Sequence, residues 1–262
     1  MVHDFCHEFF GAPKVQFVLA ANYGWMEFLG ETESGEVDLF RLGQVLSLLT
    51  VLRSSDHHPE NILVQEKWPI FVDLECSLVP EMTFQANQDG LFLPDATRIF
   101  DFNQMLFGEP LIRGFQEGLD VIIAARSRLV DELRQIASVD LRVVIRQTKF
   151  YLDMISYFLR PQVIGPESRR HRWVTDMLIK ITESAPEICA LEARAITRGV
   201  VPKITYRSTQ DVLMIEGLSV SGLVSRPGLP LALQALTNET FLESLRNWRP
   251  QGRKKIPSKK AP

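Results

Sequence analysis

The chain has 262 residues and a formal net charge of −3, unevenly divided: residues 249–262 hold six basic side chains and no acid, leaving 23 basic against 32 acidic residues elsewhere. An acidic body with a short basic tail does not match a dedicated nucleic-acid binder, whose basic side chains line one folded face. Hydrophobic residues make up 45%, too many for a disordered chain, and the length suits one or two domains.

No membrane span is expected, because the longest mostly apolar stretch, residues 45–52, falls far short of the ~20 residues a bilayer helix needs. The first ten residues (MVHDFCHEFF) have no cationic stretch ahead of an apolar one, which argues against a signal peptide. Three widely spaced cysteines, Cys6, Cys76 and Cys189, with no CxxC pair, point to reduced thiols and a cytoplasmic location. His3, Cys6 and His7 share a helical face, but at a frayed terminus a solvated cluster is expected, not a metal site.

Residues 14–21 (KVQFVLAA) read as a strand, and residues 22–25 supply turn chemistry. Ser34 is a candidate N-cap for a helix to about Leu52, with Leu39, Leu42, Val45, Leu46, Leu49 and Leu52 on one apolar face. The chain must leave that helix before Pro59, which would remove a hydrogen bond and clash inside it. Two short strands follow at 62–64 and 70–74, joined by 65–69 as a hairpin. Residues 75–108 read as irregular and the rest as mostly helical. A long amphipathic helix carries Phe115, Leu119, Ile122, Ile123, Leu129, Val130, Leu133 and Ile136. Further helices are expected at 148–159, stopped by Pro161, and at 168–182, 190–198, 209–217 and 238–248. Gly and Pro between 222 and 230 mark a loop, and the Pro/Lys-rich tail from residue 250 reads as disordered.

The segment that carries chemistry is Asp56-His57-His58-Pro59-Glu60-Asn61, followed by a hairpin ending in Asp73-Leu74-Glu75. Kinase-type phosphoryl transfer uses a loop Asp to accept the hydroxyl proton, with an Asn five residues later and an Asp on the following hairpin to hold Mg²⁺. Asp56 and Asn61 have that step, and Asp73 ends the second strand. Their carboxylate and amide oxygens are hard donors that suit Mg²⁺. Singly, each residue reads as a turn former or strand cap. Together, their spacing favours the functional reading.

This loop, with Phe71-Val72-Asp73-Leu74-Glu75, resembles the dehydratase domain of class II lanthipeptide synthetases. Tyr23-Gly24-Trp25-Met26-Glu27-Phe28 is similar to the aromatic stretch ahead of the loop in that family. Leu141-Arg142-Val143-Val144-Ile145-Arg146-Gln147-Thr148 with Tyr151 is similar to its R-x-x-x-R-x-T-x-x-Y segment. Weaker similarity continues through Glu192 and Pro202, so the resemblance covers roughly residues 12–215. It implies that Ser and Thr of a ribosomally made precursor peptide are phosphorylated with ATP and Mg²⁺, and that phosphate is then eliminated. By position, Asp56 activates the hydroxyl, His58 lies in the same loop, and Asn61 and Asp73 hold metal. Glu75 matches another acidic functional position, while Arg142 and Thr148 match positions used for elimination.

The implied fold is mainly α (α+β): a kinase-like C-terminal lobe with a catalytic-loop hairpin and helical elaboration, its N-terminal lobe largely missing. Residues 1–33 then read as a remnant of that lobe, 34–248 as the helical lobe, and 249–262 as the tail. Only Lys14, Arg41 and Arg53 are long cations ahead of Asp56, and no glycine-rich phosphate loop precedes it. Lys14 reads as a strand-edge charge more than a phosphate anchor. The long insertion the family usually carries after the metal motif is missing, and no cyclase zinc ligands follow. The expectation is therefore a shortened dehydratase that depends on a second subunit supplying the missing lobe or a cyclase. The alternative is an inactive remnant or precursor-peptide-binding module on the same lobe, so the sequence leaves enzymatic activity open.

Overall fold

In the computed structural model, Val2–Phe5 form helix α1, which widens into a π-helical turn over Cys6–Phe10 and stops at Gly11 in the left-handed region. The structure describes residues 1–19, 24–26, 37–54, 61–72, 74, 76–78, 80–82, 108–135, 140–143, 145–146, 148–158, 166–182, 186–207, 210 and 212–247. The N-terminus is not a solvated cluster: Val2, Phe5, Cys6 and Phe10 are buried in the main core. Burial pushes the Cys6 thiol up to about 12. His7 Nδ1 meets the Ala12 carbonyl oxygen at 2.7 Å.

Strand β1 (Phe17–Leu19) pairs antiparallel with β2 (Gly24–Met26), within the region expected to be strand and turn. Helix α2 (Leu39–Val51) starts later than the expected cap at Ser34, which lies outside the described residues. Asp38 is the cap, accepting from Phe40 N at 2.9 Å and Arg41 N at 3.3 Å. Nine of its residues, from Leu42 to Val51, are buried, as befits a helix enclosed on nearly every side. It ends before Pro59 is reached. Arg53 takes a left-handed φ of 51°, and Ser54 N and Arg53 N donate back to Leu49 O (2.9 Å) and Thr50 O (3.1 Å). That bond pattern is a Schellman stop, usually built on glycine.

The hairpin is tighter than expected. β3 (Ile62–Gln65) pairs with β4 (Trp68–Phe71) in the register Ile62↔Phe71 to Gln65↔Trp68. The five-residue link expected at 65–69 shrinks to Glu66-Lys67, both at positive φ (50° and 66°), the type I′ geometry that matches strand twist. Asp38 N and Arg41 Nη1 donate to the Lys67 and Glu66 carbonyls, fixing the turn to the start of α2. Glu81–Met82 form β5, within a stretch expected to be irregular.

The long helix expected over 115–136 is two, α3 (Glu109–Ala124) and α4 (Arg126–Gln135), with a break at Ala125. The first segment lies along α2, while the second turns Leu129 and Leu133 into the core beside a C-terminal helix. Where the chain was expected to be mostly helical, β6 (Asp140–Arg142), β7 (Ile204–Arg207), β8 (Val212–Ile215) and β9 (Leu218–Val220) form an antiparallel sheet in sequence order. Within the helix expected at 209–217, Val212–Ile215 are strand and Glu216-Gly217 a turn. Burial alternates along Val212–Ile215, with Leu213 and Ile215 inside, a period of two that no helix face satisfies.

Helices α5 (Thr148–Phe158), α6 (Glu167–Thr182) and α7 (Pro186–Ile196) enclose a separate core around Tyr151, Phe158, Val174, Leu178 and Cys189. α7 opens at Pro186, where a missing N–H is harmless, ahead of the expected residue 190. It also sends Ile188 into the core under the sheet. The loop expected at 222–230 contains β10 (Val224–Arg226), paired with β5, and the first turn of α8 (Gly228–Thr237). α9 (Glu239–Arg246), capped by Asn238, follows. The molecule is thus mixed helix and strand, with helices predominating. All three cysteines are buried and none is in a disulfide. Among the described residues, no helix is long and apolar enough to cross a membrane.

Candidate functional site

Of the residues singled out from sequence, Asp56, His58, Asp73 and Glu75 lie outside the described residues. The structure does describe what brackets them. The loop is flanked by Ser54 and Asn61, and the carboxylate segment by Val72 and Ser77. Ser54 Oγ and Ser77 Oγ are 2.9 Å apart and buried, and Ser77 Oγ lies 2.9 Å from Leu74 O. At the other end, Val72 N donates to Asn61 O at 2.9 Å, extending the β3–β4 ladder by one rung. The two candidate segments are therefore tied together where each begins and ends.

A third tie runs from Leu78 N to Leu52 O, at 2.9 Å. Leu78 (φ 55°) and Arg53 (φ 51°) are both held in the left-handed region, and both flank the candidate segments. Backbone strain of this kind persists only where surrounding structure over-determines it. Arg53 is largely buried, with Nη2 at 3.9 Å from Glu81 Oε1, and Arg226 Nη1 approaches the same oxygen at 3.4 Å. Burial holds the Arg53 pKa below its ordinary value, opposed by the Glu81 charge.

A cavity of about 800 Å³ opens beside these ties, with His3, Lys14, Phe17, Leu74, Ser77 and Leu141 in its wall. Leu74 sits between Asp73 and Glu75 in sequence, and Leu141 precedes Arg142. The cavity thus adjoins both stretches that the sequence singled out. Among the described residues, its wall holds neighbours of the candidate residues and not Asn61, Arg142 or Thr148 themselves. Burial, chiefly, holds the His3 imidazole below its usual range.

Arg142 is half-buried on β6, opposite Thr205 of β7, and Thr148 is exposed at the first position of α5. Between them Arg146 turns inward to make a bidentate pair with Glu192 of α7: Nε to Oε1 at 2.9 Å and Nη2 to Oε2 at 2.8 Å. Tyr151 Oη donates to the same Oε1 at 2.5 Å. Burial lowers the Arg146 pKa but the Glu192 bonds more than offset it, so the guanidinium stays charged. Burial and then the Glu192 charge raise the Tyr151 phenol, which stays neutral. Arg146, Tyr151 and Glu192 are visible in the sequence as single residues but not as a cluster. No local signal reveals a pair 46 residues apart.

As for metal, no group of three His, Cys, Asp or Glu among the described residues is gathered to hold an ion. The Mg²⁺ set implied from sequence is an amide and a carboxylate, Asn61 and Asp73, and the Asn61–Val72 rung puts the residue preceding Asp73 across from Asn61.

A helical body with a loop and hairpin tied at both ends beside a cavity defines a class of small mixed α and β protein with one candidate centre. Within that class, the chain belongs to the family described as a domain of unknown function, DUF4135, which it matches over residues 10–99 and 101–207. No curated protein matches it.

Proposed function

We propose that the chain is the kinase-like lobe of a lanthipeptide dehydratase, acting on Ser and Thr of a ribosomally made precursor peptide. The observation that carries this reading is the double tie, Ser54 to Ser77 and Asn61 to Val72, which joins a loop with kinase-like Asp–Asn spacing to the segment bearing Asp73 and Glu75. The association of DUF4135 with lanthipeptide synthetases supports it as well. In this reading Asp56 takes the hydroxyl proton as the oxygen attacks the γ-phosphorus, the bond from that phosphorus to the β,γ-bridging oxygen breaks and ADP leaves with its electron pair, with His58 and Glu75 in the same centre. Asn61 and Asp73 would hold Mg²⁺, which would neutralise phosphate oxygens of bound ATP. In the second step the Cα proton passes to a base and on to solvent, and its electron pair forms the Cα=Cβ bond. The Cβ–O pair leaves with inorganic phosphate. Arg142, with Thr148, stabilises charge on that leaving group. The grip on the α- and β-phosphates would come from a nucleotide-covering lobe outside these 262 residues, on a second subunit in this proposal.

The test is mass spectrometry of a Ser/Thr-rich precursor incubated with the protein, its partner subunit, ATP and Mg²⁺. Products lighter by water are expected, and Asp56→Asn should slow phosphorylation by about 10²–10⁴-fold, with Asp73→Asn similarly impaired. A wild-type protein that yields neither phosphorylated nor dehydrated peptide overturns the reading. Peptide binding that survives Asp56→Asn without any chemistry in the wild type would identify a binding module instead.

A further inference from the structure

Resting on that reading, we propose that Glu192 is the positioning residue for elimination, setting Arg142 and Thr148 through its hold on Arg146 and Tyr151. Glu192 is fully buried, so it touches no substrate, and whatever it contributes to chemistry passes through other side chains. Three hydrogen bonds converge on its carboxylate, two from Arg146 and one from Tyr151. Both donors belong to the stretch that carries the candidate elimination residues. Arg146 lies between Arg142 and Thr148, and Tyr151 is one helical turn beyond Thr148 on the same face of α5.

The other end of the stretch is fixed by the sheet. Arg142 is in register with Thr205, and Val143 N donates to Ile204 O at 3.0 Å. The connection from β6 to α5 is therefore held at the sheet, at Arg146 and at Tyr151, the last two by one carboxylate. Glu192 sits on α7, the helix shared by the core under the sheet and the core of α5–α7. The hairpin proposed for phosphoryl transfer packs instead on the main core through Trp68, Ile70 and Phe71, beside α2. Loosening Glu192 should thus disturb one half-reaction and spare the other. A merely structural carboxylate would weaken both.

The partition between the two steps tests this. The full-length protein is given, with its partner subunit, Mg²⁺ and nucleotide, either a Ser/Thr-rich precursor peptide or its synthetic phosphoseryl form. Tyr151→Phe keeps the ring and removes one bond, and Arg146→Lys keeps the charge but not the two-pronged pair. Both, and Glu192→Gln where it folds, should slow elimination from the phosphopeptide by about 10–100-fold, the scale of an ångström-sized misplacement. Phosphorylation of the unmodified peptide should persist, so phosphopeptide accumulates. Equal slowing of both steps, or unchanged elimination, overturns the inference alone. A wild-type protein inert toward both peptides overturns the functional reading and this inference with it.

Discussion

Arg146 and Arg207 each grip a carboxylate with two nitrogens, and burial separates what the two pairs contribute. Arg207 holds Asp140 at 2.8 Å through both Nε and Nη2 on an exposed strand end. The Arg207 hydrogen bond holds the Asp140 carboxyl below its ordinary range. That contribution is present above the unfolded-state pKa and lost as pH falls through the folded one, and solvent screening keeps it under about 1 kcal/mol. The Arg146–Glu192 pair is out of water, where removing one partner strands the other. Arg146→Met should cost about 3–5 kcal/mol in urea unfolding, whereas replacing Arg146, Glu192 and Tyr151 together by apolar residues should recover most of it. A triple variant as unstable as the single one would show that packing, not the stranded charge, sets the cost. At this scale the sequence was only half legible. The R-x-x-x-R-x-T-x-x-Y string was visible, but its partner on α7 was not, because no periodicity links residues so far apart.

Helices α2 and α3 cross with backbones nearly touching, and three glycines permit it. A Cβ on Gly43 would overlap the Leu111 carbonyl oxygen, one on Gly114 the Phe40 carbonyl oxygen, and one on Gly118 the Ser47 hydroxyl. Gly114 and Gly118 lie four residues apart, one above the other on the face of α3 that meets α2. Since the obstacle at Gly114 is backbone, no side chain can turn aside. Gly114→Ala should destabilise the protein by about 1–3 kcal/mol, read as a lower urea midpoint at unchanged slope. An unaffected midpoint would mean that the helices can separate at no cost. The periodicity of both helices was readable, since it follows from which positions are apolar. The break at Ala125, the sheet, the turn at Glu216-Gly217 and the two-residue length of the turn inside the expected 65–69 link were not. Glu66-Lys67 and Glu216-Gly217 adopt I′-type turns with one glycine among four residues, so turn composition gave little warning. Short strands such as Val212–Ile215 are equally compatible with a helix until their partners are known.

On the scale of the whole molecule, the family match ends at residue 207, yet the main core does not. Leu229, Ala232, Leu236, Leu242 and Leu245 from α8 and α9 complete the cluster built by α2, α3 and α4. Around them, Gln116 Nε2 donates to Arg246 O at 2.7 Å, and Arg246 pairs with Asp120. Each buried leucine contributes about 1.5–3 kcal/mol, so four together rival the 5–15 kcal/mol that holds a typical domain folded. A chain ending at residue 227 should lose its cooperative thermal transition by circular dichroism, and Leu236→Ala alone should cost about 2–5 kcal/mol. A truncated chain that still melts cooperatively would make α8 and α9 an appendage.

The burial of the cysteines has a practical consequence. Cys6 belongs to the main core, Cys189 to the core of α5–α7, and Cys76 to the carboxylate segment beside the cavity, and the three are 5%, 0% and 2% exposed. A thiol in such a place reacts with a soluble disulfide reagent only when its surroundings open. The wild-type protein therefore carries three internal clocks, one in each region. Their separate labelling rates, resolved by peptide mass, time the opening of each region without a single substitution. A ligand that settles at the loop and hairpin should slow the clock at Cys76 while the other two keep their pace.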